Sequence, residues 1–330
     1  MTHIVRSERD YEDLLGQWSD LESGLGILLC HPANAQEFES RIYQYDRWMQ
    51  DLIQRDTDVA LYLLFQLAAQ SPVGYSTSHA LVCAVLCHLA AIEFELTQHE
   101  RNSLVRAALT MNIAMTALQD QLATQRSSPT PKQKTAIQTH AADGAVMLGK
   151  LGISNVLWLE TIHLHHQDDE SGLKLQDLPP PQRLAHILSV VDRYAAMISP
   201  RESREGRSAS ESAQTIIQGD ATHDNRVGQT LVRIVGLCPP GTFVQLDDDE
   251  VAVVMRRSKQ ANLPDVAIVL SSSGQQIRPP SLHRTANGSP HIVGALPASA
   301  IQERINHHVI LQLGTLAEDR RGSRPDPGQA

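Results

Sequence analysis

Three imidazoles and a carboxylate dominate the chemistry this sequence can offer. His140, the doublet His165-His166 and Asp192 stand in successive segments of helical pattern, a few dozen residues apart, downstream of Thr110-Met111-Asn112-Ile113-Ala114-Met115. A helical bundle can gather such positions around one pocket. Neutral imidazole nitrogens and carboxylate oxygens are the donors a first-row divalent metal takes. Each residue also has a plainer reading. His140 reads as a hydrogen-bonded core histidine, and the doublet as a polar helix end. Asp192, on an apolar face, needs a partner, and His79 is the natural one.

The totals bound what surrounds that pocket. A length of 330 residues suggests about two domains. The net charge of -9 argues against a general grip on nucleic acid. Any phosphate ligand must then be met by a local basic patch. Of the four cysteines, Cys83 and Cys87 lie one helical turn apart in an apolar run and read as small core residues. No disulfide framework is expected. Neither a charged-then-apolar leader nor an apolar run of about 18 residues stands out, so no membrane association and a cytoplasmic location are expected.

The elements that must position the ligands follow from pattern and caps. Residues 1–57 carry two apolar stripes at helical spacing, the second through Phe38, Ile42, Tyr45, Trp48 and Leu52. Asp56 or Thr57 caps the next helix, and Pro72 with Gly74 ends it. Tyr75-Ser76-Thr77-Ser78-His79 opens a long apolar helix to Phe94. Thr97 and Glu100 form a capping box for a helix expected to continue through Met111 and Met115 towards Leu122. Thr130-Pro131 starts the helix of His140, which stops at Gly152. Ser154 caps the helix that ends in His165-His166, and Pro179 to Pro181 precede the helix of Asp192. Residues 202–212 read as a loop, with two short helices following to about Val235. Phe243 to Leu246 and Val251 to Val254 flank the turn Asp247 to Glu250 as a hairpin, with a third strand at Val266 to Leu270. His307-His308 reads as surface, and the chain from Glu318 on as a disordered tail.

At these residues the sequence resembles the HD-GYP family, a bacterial branch of the HD phosphohydrolase superfamily. The resemblance rests on Tyr75-Ser76-x-x-His79, His140 with Gly144, His165-His166, and Asp192-Arg193-Tyr194. The segment Gly236-Leu237-Cys238-Pro239-Pro240-Gly241-Thr242 with its hairpin adds to it, so that it covers roughly residues 60–285. It implies an HD-domain-like helical bundle over 58–235, and with the patterns above the chain reads as a mainly α fold with an N-terminal helical section over 1–57, a small β-containing appendage over 236–316 and the disordered tail over 317–330. The resemblance also implies that His79, His140, His165, His166 and Asp192 are metal ligands, that Arg201 and Arg204 face a substrate phosphate, and that cyclic di-GMP is the ligand.

The departures from the family pattern shape the functional expectation. Met111-Asn112 stands where the family has its His-Asp pair, Met115 where it has a lysine, and Gly172-Leu173-Lys174 where it has Gly-Tyr-Pro. Tyr75 replaces a glutamate found in some members. Metals in such sites acidify a water and neutralise charge on phosphoryl oxygens, and two cations about 3.5–4 Å apart need an anionic bridge. Asn112 is the neutral near-isostere of that bridge. Met111 is a soft thioether ill-suited to iron or manganese. One weakly held divalent metal (iron, manganese or zinc), or none, is therefore expected on His140, His165 and His166. His79 and Asp192 are left without a partner histidine. The leading expectation is a catalytically impaired signalling protein that binds cyclic di-GMP, a signalling protein partner, or both. An active phosphodiesterase with a reorganised site and a protein-binding scaffold without nucleotide are the alternatives.

Overall fold

The structure, a computed structural model, describes residues 8–70, 73–167, 173–199, 209–218, 225–260, 262–297, 300–301 and 303–322. In chain order its helices are α1 (Glu8–Cys30), α2 (Phe38–Arg55), α3 (Thr57–Gln70), α4 (Tyr75–Glu93), α5 (Gln98–Thr110), α6 (Thr116–Thr124), α7 (Pro131–Lys150), α8 (Val156–Leu164), α9 (Pro180–Ile198), α10 (Ala209–Gln218) and α11 (Arg226–Val235). The strands β1 (Phe243–Leu246), β2 (Val251–Arg256), β3 (Asp265–Leu270), β4 (Gln276–Arg284) and β5 (Ile292–Leu296) follow, and α12 (His307–Gly322) closes the described chain.

Helix α4 is the spine. From Ser76 to Ala91 all but one of its residues are buried, and it packs on α1, α3, α5, α6, α9 and α11. It is long and apolar enough to cross a membrane, a stretch that the sequence expectation passed over. Yet 83% of its most apolar window is buried inside the protein, as in the central helix of a bundle. Its start is built by Gly74 and Asp120. Gly74 has φ +141°, and a Cβ there would sit 3.2 Å from Asp120 Oδ1. The Asp120 carboxylate of α6 accepts from Ser76 N at 2.7 Å and from Ser76 Oγ at 3.0 Å, which satisfies free donors at the helix end.

Side-chain caps set the other helix starts. The capping boxes of Thr97 with Glu100 and Thr130 with Gln133 are both complete. Asp56 Oδ1 accepts from the amides of Asp58 and Val59 at 3.0 Å each. Asn155, not Ser154, caps α8, its side chain accepting from Trp158 N at 3.0 Å. The expected continuous helix from Thr97 to Leu122 is broken. α5 ends at Thr110, a 3-10 turn spans Ile113–Met115, and α6 starts afresh. Asn112 (φ -101°, ψ 12°) and Met115 (φ -131°, ψ 19°) leave helical geometry. Thr110 Oγ1 donates to Arg106 O at 2.7 Å and accepts from Trp158 Nε1 at 2.9 Å, which anchors the helix end against α8.

The five strands form one antiparallel sheet in the order β4-β3-β2-β1-β5, two strands more than expected. Alternation along β1, β2 and β3 divides it. Phe243, Val253, Met255, Ala267 and Val269 join the main core, while Val244, Leu246, Ala252, Val254, Val266 and Ile268 form a small second cluster on the other face. The main cluster runs from Leu14 of α1 to Leu311 of α12, so the N-terminal helices and the inner sheet face pack on the bundle. A buried ion pair ties the sheet down. The Arg256 guanidinium of β2 bonds the Asp56 carboxylate at the start of α3, and its Nε donates to Gly314 O of α12 at 2.8 Å. Gly241 (φ +90°) lets the chain entering β1 approach α3, where a Cβ would meet Tyr62 O at 2.8 Å.

Three further expectations are revised. Residues 209–212 open α10 rather than belonging to a loop, and α12 runs to Gly322, beyond the expected start of the tail. His307 is not a free surface group, because its Nδ1 accepts from the Tyr62 hydroxyl at 2.7 Å.

Between α4 and α5, buried His88 accepts at Nδ1 from Arg101 Nη2 at 2.7 Å. Burial, and then the Arg101 charge, pushes its pKa down from 6.5 to about 4. The unfolded chain takes up this proton below about pH 6.5 and the folded chain does not. The stability contributed here is full above that value and falls as pH drops towards 4. Denaturant unfolding from about pH 7 to about pH 4.5 is expected to show falling stability. The decline is expected to be shallower in His88→Gln, which keeps an acceptor for Arg101 but cannot titrate.

Candidate metal centre

Helices α4, α7, α8 and α9 deliver five of the expected ligands in two adjacent groups. The first is His140, His165 and His166, whose ligand atoms lie within 4.8 Å of one another. α7 carries His140, while the doublet sits immediately past the last residue of α8, with His165 as its C-cap. Ring centroids are 5.3 Å apart for His140 and His165, 5.0 Å for His140 and His166, and 4.0 Å for the doublet. His140 and His165 are buried and His166 is exposed, so this group opens on one side.

Backbone carbonyls set the state of the two buried rings. His140 Nδ1–H donates to Ile137 O, and His165 Nδ1–H donates to Ile162 O, each at 2.6 Å. Each bond places the proton on Nδ1 and leaves Nε2 with a free lone pair. Both Nε2 atoms are buried without a hydrogen-bond partner among the described residues. A buried polar atom left unpaired costs about 1–3 kcal/mol. Two of them in one group are what a cation-binding face requires. Burial lowers the pKa of His140, with the Ile137 bond offsetting part of it, and brings His165 down to about 4. The rings are neutral near pH 7, the state that ligates metal.

The second group is His79, Cys83 and Asp192. His79 Nε2–H donates to Asp192 Oδ1 at 2.8 Å, and Cys83 Sγ lies 3.6 Å from the same nitrogen. The pairing expected of His79 and Asp192 is thus present. Burial works to raise the Asp192 pKa, but the bond and charge of His79, aided by His165 and His166, hold it well below the ordinary carboxylate value. Tyr75, four residues before His79, stacks on its ring with centroids 5.5 Å apart and planes at 12°. The position that holds a glutamate in some HD-GYP proteins is therefore a packing group here. Cys83, expected only as core filling, is the functional candidate the sequence reading missed. Its spacing of four from His79 on one helix was the available signal.

The turn after α5 packs against α7, the helix that carries His140. Gly144 of α7, one turn beyond His140, packs on Met111: a Cβ there would lie 3.5 Å from Met111 O, 3.7 Å from Ile113 Cγ2 and 3.8 Å from Ile162 Cγ2. Met111 is fully buried, Asn112 is buried and Met115 partly so. The Asn112 side chain makes no hydrogen bond with another described residue. Arg201, Arg204 and Gly172 lie outside the described residues.

Residues 63–227, which contain both ligand groups and the intervening turn, match a family model described as HD domain. The chain belongs to the HD-domain family. The HD-GYP resemblance of the sequence falls inside it, and the helical bundle is the fold expected. Cyclic di-GMP phosphodiesterase PA4108 of Pseudomonas aeruginosa is 27% identical over 248 residues, which is 73% of this chain. The match spans 59% of that relative's length. A solved HDG"Y"P protein from Bdellovibrio bacteriovorus, Bd1817, is 16% identical with a TM-score of 0.48, over 65% of this chain and 69% of its own. HD domains typically use metal, and the two unpaired Nε2 atoms of this HD domain, with His166 beside them, fit one.

Elemental analysis tests the first group. Protein loaded with zinc or manganese and desalted is expected to retain the ion, and His165→Ala to retain at least one equivalent fewer than the wild type. Loss of a supporting hydrogen bond alone weakens metal binding about 10–100-fold, so removal of a ligand is expected to exceed that. Equal retention by both proteins would exclude the His165 group as the metal site.

Proposed function

We propose that this chain is a cytoplasmic bacterial signalling protein that binds cyclic di-GMP at the HD-domain pocket and is impaired in hydrolysing it. The observation that carries this reading is Asn112. It occupies the position at which the HD-GYP resemblance has its bridging aspartate, on the turn that packs against α7 one helical turn from His140. The similarity to a cyclic di-GMP phosphodiesterase supports the ligand. The paired histidines with open Nε2 atoms support a retained metal pocket.

The division of labour follows from charge. His140, His165 and His166 would hold a divalent ion, which would supply Lewis-acid neutralisation of a phosphate when bound. Imidazole donors bring no negative charge, so the ion would keep its positive charge for an anionic ligand. Asn112 brings no negative charge to tie a second ion to the first at the spacing in-line attack demands. Met115, in place of a lysine, donates nothing to a phosphate. Arg201 and Arg204 are assigned to phosphate contact. Binding of the dinucleotide, or of a protein that reads it, is then the output.

A second reading, an active phosphodiesterase with a reorganised site, is favoured by one observation: His79 and Asp192 still stand together beside the first group. Calorimetry and a turnover assay on one metal-loaded preparation separate the two. We expect micromolar binding of cyclic di-GMP with turnover at least about 100-fold below the ~10 s⁻¹ typical of enzymes. Ordinary turnover that is abolished in His165→Ala would establish the active reading. Absence of binding would leave a protein-binding scaffold.

A further inference from the structure

We infer that Cys83 is a metal ligand, and that His79, Cys83 and Asp192 form a thiolate-containing site for zinc or another thiophilic divalent ion. The inference rests on the reading of this pocket as a metal centre and goes beyond it. Nothing in the HD-GYP resemblance assigns Cys83 a role.

Geometry carries the argument. His79 and Cys83 are four residues apart on α4, so their side chains lie one above the other on a single helix face. The same spacing places paired zinc ligands on a helix in other metal sites. Asp192 reaches this face from α9. The three donor atoms lie within 4.8 Å of one another. The separation of 3.6 Å between His79 Nε2 and Cys83 Sγ is close to one edge of a tetrahedron built on Zn–N of about 2.0 Å and Zn–S of about 2.3 Å. The bond of 2.8 Å from His79 to Asp192 spans the third donor, and an ion would take the place of the proton these two share. Burial and the nearby Asp192 charge keep the Cys83 thiol protonated without metal. On binding, the thiol proton passes to solvent as the sulfur–metal bond forms. The proton that His79 Nε2 shares with Asp192 leaves that nitrogen, passing to solvent if Nδ1 already carries a proton and to Nδ1 if it does not, so that Nε2 and the carboxylate are both free to ligate.

The chemistry explains why such a site suits this chain. Asn112 and Met111 contribute no anionic ligand, whereas Cys83 contributes a thiolate. With the Asp192 carboxylate it cancels the charge of a divalent ion, so that ion repels its neighbour on the three imidazoles only weakly, with no bridge needed. A thiolate also moves the preference from iron or manganese towards zinc or cobalt. Cys87, one turn further along α4, is fully buried and outside the group.

Anaerobic cobalt(II) titration of the metal-stripped full chain tests this directly. The wild type is expected to develop a near-ultraviolet thiolate-to-cobalt charge-transfer band that saturates at one ion. Cys83→Val and Cys83→Ala are expected to lose that band completely while keeping the visible cobalt bands of the three-imidazole group. His165→Ala is expected to show the reverse. Visible bands that depend on His165, with no charge-transfer band in the wild type, would overturn the Cys83 site and leave the first group standing. A charge-transfer band that survives in both folded Cys83 variants, checked by circular dichroism, would also overturn it. No cobalt signal of either kind would remove both groups as metal sites.

Discussion

A divalent ion held by neutral imidazoles keeps its full charge, and a second ion can sit beside it only if negative charge offsets their repulsion, on a shared bridge or on the second ion's own ligands. That constraint governs what this pocket can do. His140 and His165 are prepared for one ion: each is locked by a carbonyl three residues earlier, and each has a buried Nε2 with no partner. The residue at 112, on the turn that packs against the same helix, is an amide. Negative charge is instead supplied on the far side of the pocket, by Asp192 against His79 with the Cys83 sulfur beside them.

The scaffold works to hold these groups in place. α4 is enclosed by neighbouring helices over nearly its whole length, so His79 and Cys83 have little freedom to move. Its first turn is fastened by Asp120, and the turn bearing Asn112 follows a helix end anchored by Trp158 and Thr110. The sheet is tied to the bundle through Arg256, which joins β2 to α3 and α12 at one point. Breaking such a buried pair costs about 3–5 kcal/mol, because the remaining charge is left stranded. The sheet is thereby part of the support for the helices that carry the ligands.

Much of the local architecture was legible in the sequence because side-chain caps are local signals. Thr97 with Glu100, Thr130 with Gln133, and Asp56 all act where their spacing indicates. The break at Thr110 was not legible, because residues 110–122 keep an apolar pattern and the break depends on a tertiary partner, the indole of Trp158. β4 and β5 were missed because Pro279, Pro280 and Gly294 interrupt them and their burial is partial. Within the site, the histidines and Asp192 stood out by type. Cys83 did not, because a cysteine in an apolar helix looks the same whether it fills space or faces a histidine. The His307 contact with Tyr62 spans 245 residues and has no local trace.

Restoring the missing acid is the most direct test of the account. The double variant Met111→His/Asn112→Asp, metal-loaded beside the wild type, is assayed for cyclic di-GMP hydrolysis with ions counted on the same samples. The account predicts that the variant gains turnover by at least about 100-fold over the wild type, on the scale that a positioned catalytic group contributes. Equal rates in the two proteins, with the variant folded and holding two ions, would contradict it.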